Sequence, residues 1–185
     1  MGNAQIERIR NVLLLAVLFL QVGLLTWEYF NGGIATHHLL MREDLPGFSN
    51  LWGIAILPLL VWLTGESAKK RLSLLLETSE LSKEKQKIAV TFGTIFFLSL
   101  LQSIVFYMGF HDLAKYILFG FILVGLFIPL YRMEAITGYV IGACITSGPV
   151  MPFVGVVLFG LVSVISHFMF KPLFNKVLNY KKAVT

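Results

Sequence analysis

Cysteine, charge and catalytic motifs are what this sequence has least of. Its one cysteine, Cys144, stands inside an apolar run, so neither an internal disulfide nor a cysteine-based zinc site can form. Charged residues are 14% of the 185 residues; an ordinary soluble domain carries about a quarter. No G-x-S-x-G elbow, phosphate-binding Walker loop, dinucleotide fingerprint or H-x-x-x-H pair occurs. These absences remove the enzymes that such motifs define. They leave no cofactor to be named, and they weigh against an enzyme.

What is present is apolar. Hydrophobic residues make up 57% of the chain, and the mean hydropathy is +0.80. A soluble fold of this length could not hide that much apolar surface, whereas a bilayer removes the need. The expected fold class is an all-α integral membrane protein, a single domain of six spanning helices. Spans are predicted at about 11–30, 50–65, 88–110, 113–131, 135–148 and 151–170. The first is read as a retained helix, because Arg8 and Arg10 precede a long apolar run without a small-residue cleavage site. Residues 66–87, rich in Lys and Leu, are read as an amphipathic linker in the headgroup layer or in water. The pair Gly148-Pro149 breaks the last apolar region, which favours a hairpin over one span with a re-entrant segment.

Charge orients this plan. With an even number of crossings, Arg8, Arg10, the lysines and arginine of 69–87, Arg132 and the lysines of 171–182 share one side. Together they are 13 of the 15 basic residues, leaving Arg42 and Lys115. That asymmetry places both termini in the cytoplasm. The net charge of +5 is therefore explained by topology, and no nucleic-acid partner is expected. The expected location is a plasma membrane of the bacterial inner-membrane type.

The outer side then collects His37, His38 and His111 with Asp112 and other acids. Imidazole with carboxylate is a usual metal ligand set, so His37, His38, His111 and Asp112 form a candidate metal site. Their spacing fits no ligand pattern, and an ordinary interfacial role competes with it. Residues 41–50 combine charge, a Pro-Gly turn, an aromatic and a helix cap, and are read as a lid over the bundle. Asp44 and Asn50 from the lid, with Thr146, Ser147, Gly148 and Pro149 from the broken helix, form the candidate ligand site. Broken helices expose backbone groups that bind ions or substrates. No buried Asp, Glu, Lys or Arg is expected within the spans, which argues against a proton relay. Gly138 and Gly142 form a G-x-x-x-G pair that suits close helix packing.

In size, span number and basic face the chain resembles the small substrate-binding subunits of vitamin importers. Their A-x-x-x-A contact has no counterpart in 11–30. The expected function is a transporter, channel or substrate-binding transport subunit for a small molecule or ion, with an outward-facing site under residues 31–50. The alternatives are an accessory subunit of a larger membrane complex and an outward-facing enzyme built on the His and acid cluster. A homo-oligomer or a partner membrane subunit is compatible with each. The topology yields a first prediction. A cysteine replacing Gly33 should react with an impermeant thiol reagent on intact cells, and one replacing Lys83 should not; the reverse pattern would invert the assignment.

Overall fold

The computed structural model describes residues 3–38, 42–75 and 77–170, so the basic tail beyond Phe170 and Met41 of the lid lie outside the described residues. The chain is mostly helical. The helices are α1 (Asn3–Phe30), α2 (Gly53–Ser73), α3 (Thr78–Tyr107), α4 (His111–Phe127), α5 (Met133–Ser147) and α6 (Val150–Ile165). A π turn, Ser166–Phe170, extends α6. Four stretches are long and apolar enough to cross a membrane: 5–30, 50–73, 78–107 and 150–169. Large apolar side chains stand exposed along the bundle, among them Phe19, Phe97 and Phe127 at 83%, 67% and 75%. Water would penalise such a surface, and lipid does not.

The innermost element is α5. Nearly every residue from Glu134 to Cys144 is buried, on all sides of the helix, as expected of a helix enclosed by others. Its 15 residues span about 22 Å at 1.5 Å per residue. α3 packs along it most extensively, and α2 and α6 also touch it; α1 lies along α2, and α4 along α6. The α3–α5 contact depends on the G-x-x-x-G pair. A Cβ on Gly138 would stand 2.8 Å from the Phe92 carbonyl oxygen, and one on Gly142 would collide with Ser99 Oγ and the Phe96 carbonyl. Ser99 Oγ donates to the Phe96 carbonyl at 3.0 Å. Small residues let backbones approach where apolar burial gives no net drive, because lipid tails are as apolar as leucine.

Residues 66–87 do not form a linker of their own. α2 runs on to Ser73, and α3 starts at Thr78 after a short break. Ala68 and Leu72 are buried along this extension, and Lys69 and Arg71 reach acids on other helices, so the charged stretch is packed as parts of two long helices. The Gly148-Pro149 break occurs where the sequence indicates it. Gly148 has φ +62°, and α5 ends there before α6 begins.

At the other end of the bundle, α1 ends at Gly32 and Gly33, both with positive φ. A hairpin follows, β1 (Thr36–His38) antiparallel to β2 (Gly47–Ser49), with His37 opposite Phe48. One 3-10 turn, Asn50–Trp52, then leads into α2, with Ser49 Oγ accepting from the Leu51 N–H. We expect Gly142→Val to destabilise the bundle by about 1–3 kcal/mol in thermal unfolding, through overpacking against α3. Gly93→Ala, with nothing within 4 Å of its new Cβ, should be neutral or stabilising.

Candidate functional site

Two polar constellations interrupt the apolar bundle, one at each end of α2. At the lid end, Gln21 is 1% exposed. Its Nε2 donates to the Asn50 carbonyl at 2.8 Å, and its Oε1 is buried with no hydrogen-bond partner. The Asn50 side chain donates from Nδ2 to Glu28, and the other Glu28 oxygen accepts from the Ala35 N–H at 3.1 Å. Asn50 Oδ1 occupies the space that a Cβ on Gly148 would need. Gly148 is therefore required twice here, for its φ and for the room it leaves. α1, the hairpin, the start of α2 and the α5–α6 break are latched together through Asn50.

The sequence-derived ligand set divides over this geometry. Asn50 and Gly148 meet. Pro149 is fully buried beside them. The Thr146 and Ser147 hydroxyls turn back to donate to the Ala143 carbonyl, each at 3.4 Å. Asp44 is exposed and paired with Arg42 at 2.7 Å, and that guanidinium holds its carboxyl below the usual carboxylate range. The candidate metal ligands are not brought together. His38 Nδ1 pairs with the Leu45 carbonyl at 2.8 Å. His111 packs edge-on against Phe106, and Asp112 binds Lys115 at 2.9 Å. Burial lowers the His37 pKa, with Glu28 pulling the other way. Among the described residues no group of three or more His, Cys, Asp or Glu side chains could hold a metal ion.

The second constellation lies at the basic end, and sequence reasoning missed it. Glu134, in the first turn of α5, is 0% exposed. Its Oε2 accepts from Arg71 Nη2 at 2.7 Å, and Arg132 Nη1 lies 3.8 Å from its Oε1. Both arginines also pair with Glu84 on α3, at 3.1 and 3.3 Å. Two further pairs tie α1 to α2: Lys69 with Glu7 at 2.6 Å, and Arg10 with Glu66. Glu134 Oε1 and Arg71 Nε are buried without hydrogen-bond partners. The expectation of no buried charge is thus corrected: position 134 falls in the predicted turn between the spans 113–131 and 135–148, yet α5 carries it inside. The available signal was the neighbouring Arg132 at the head of a glycine-rich, short apolar run.

A cavity of about 480 Å³ opens beside this network, between α1, α2, α3 and α5. Its walls are apolar, with Ile9 and Leu13 on α1, Phe92 on α3 and Ile141 on α5. Its polar groups are Arg10, Thr64, Lys85, Glu134 and Thr137. The two threonine hydroxyls lie 2.7 Å apart and are satisfied by each other and by the Leu60 carbonyl. Lys85 is partly buried and has no ion-pair partner among the described residues. A concave apolar site with a few convergent polar groups is the usual form of a small-ligand site.

Removing one partner of a buried ion pair leaves the other charge uncompensated. Arg71→Ala, which leaves the buried Glu134 with only Arg132 at 3.8 Å, should therefore lower unfolding stability in micelles by about 3–5 kcal/mol. Arg71→Met combined with Glu134→Leu should recover much of that loss; a double variant as unstable as the single one would contradict the pairing. No family model, curated protein or solved structure matches this chain, so its geometry alone carries the functional reading.

Proposed function

We propose that the chain is a small membrane transport protein with six crossings and both termini in the cytoplasm. Its ligand cavity opens at the cytoplasmic end, and its outer end is shut by the Asn50 latch. The observation that carries this reading is the asymmetry along α2. Beside its C-terminal half lies a cavity with charged groups at its rim, while at its N-terminus Asn50 fills the space over Gly148. A site accessible from one side and sealed on the other is what alternating access requires of one state. The crossings of α4 and α5 rest on the distribution of basic residues. α5, short for a bilayer about 30 Å thick, would be accommodated because other helices enclose it.

In this reading the sequence-derived ligand residues Asn50 and Gly148 act as an outer gate, and the ligand lies deeper. The latch is made of neutral hydrogen bonds and one carboxylate, a set that can open without exposing an unpaired buried cation. Asn50→Ala removes the plug. It should raise labelling of a cysteine replacing Ser147 by an impermeant thiol reagent on intact cells several-fold. A cysteine replacing Ala89, on the cavity wall, should react in inverted membrane vesicles with or without that change. If position 147 stays equally protected in the Asn50→Ala background, the gate is wrong.

A further inference from the structure

We infer that the basic-end cavity takes a single-chain amphiphile from the membrane, one whose head carries both an anionic group and a hydroxyl. This rests on the proposed site and names its ligand class. Three features select the tail. The walls that Ile9, Leu13, Phe92 and Ile141 form are apolar. α1 and α3 flank the cavity without packing substantially against each other, which leaves room, in addition to the opening at the basic end, for a lateral opening between them. Ile9 and Leu13 are 48% and 38% exposed at that opening, where lipid would meet them. A volume of about 480 Å³ lies in the lower half of the range of about 300–1,000 Å³ for small-ligand sites, and suits one chain better than two.

Two groups select the head. Lys85 brings a positive charge to the cavity that no carboxylate among the described residues neutralises, whereas Arg10 is paired with Glu66. An anion is its natural partner. Glu134 brings the opposite demand. Glu134 borders the cavity, and its Oε1 is a buried acceptor with no hydrogen bond, Arg132 Nη1 standing 3.8 Å away; leaving such an acceptor without a hydrogen bond is costly. A hydroxyl satisfies it, where a second anion would be repelled. The two groups lie at one level of the bundle. Glu84 is the residue before Lys85, and the arginines it binds are the ones that bind Glu134. A head with an anion toward α3 and a hydroxyl toward α5 meets both needs, while its chain runs along Leu13 and Phe92.

The test uses the full chain in phosphatidylcholine nanodiscs with three photoreactive probes of equal chain length. These are a lysophosphatidate, a fatty acid without a hydroxyl, and an alkyltrimethylammonium, with labelled positions mapped by mass spectrometry. The lysophosphatidate should label residues of 9–13 and 88–92 and exceed both other probes. Lys85→Gln should cut that labelling about tenfold, equivalent to about 1.4 kcal/mol, while Lys83→Gln should leave it unchanged. Ala89→Trp, which fills the cavity without touching Lys85, should abolish it. Circular dichroism establishes that each variant is folded. Equal labelling by the fatty acid or the ammonium probe overturns the inference, as does labelling confined to the outer faces of the bundle. The gate test needs no ligand, so the two can fail separately. A chain that binds the probe but never exposes position 147 loses the transport reading alone. One that opens but shows no selective labelling loses this inference alone.

Discussion

A carboxylate with no exposure, at the head of the innermost helix, constrains the structure more than any other group. Taking Glu134 out of water costs several kcal/mol unless charge and hydrogen bonds replace the solvent. Arg71 and Arg132 supply both. To do so, α2 must continue well past its apolar run, and α3 must begin early enough to bring Glu84 against the same arginines. The lengths of two helices are thus tied to one side chain. A buried ionic cluster adds little net stability compared with apolar packing. What it does fix is register, because each helix can meet its partner at one height only.

The remainder of the fold follows from packing in an apolar solvent. With lipid outside, helices gain little by hiding leucines from it, so close backbone approach and a few hydrogen bonds decide which faces meet. α3 and α5 meet where Gly138 and Gly142 let Phe92 and Phe96 come close. The Tyr139 ring stacks edge-on against Phe121 and Phe159, joining α5 to α4 and α6. Ser163 performs the polar equivalent. It accepts from the Leu130 N–H at 3.1 Å and donates to the Ile128 carbonyl at 3.0 Å, tying the bend before α5 to α6.

Features with a local cause were legible in the sequence. Apolar runs gave the long helices, a Gly-Pro pair gave the break, and a G-x-x-x-G pair gave the close contact. Features that depend on distant partners were not. The basic stretch after Gly65 reads as a solvated linker because its acids lie elsewhere: Glu7 on α1, Glu84 on α3 and Glu134 on α5. Glu134 reads as a turn residue because its hydrogen-bonding partner, Arg71, lies on another helix far away in sequence. The histidines of the hairpin attract attention as titratable groups. Their neighbours in space, a Phe48 pairing and a Leu45 carbonyl, are ordinary ones. A lysine becomes notable only when the other charges around it have been matched, which is why Lys85 carries no signal in the sequence.

α1 is fastened to α2 in two chemically different ways. At the basic end the ties are ion pairs, Glu7 with Lys69 and Arg10 with Glu66, all partly open to solvent. At the lid end the ties are hydrogen bonds without an ion pair, Gln21 to the Asn50 backbone and the Asn50 side chain to Glu28. Salt weakens partly exposed ion pairs of the first kind and hardly affects the second. Ionic strength, or the charge of the neighbouring lipid surface, therefore acts on one end of this helix only. The ties it reaches flank the near wall of the cavity, to which Arg10 contributes, while those at the other end of α1 are left nearly unchanged.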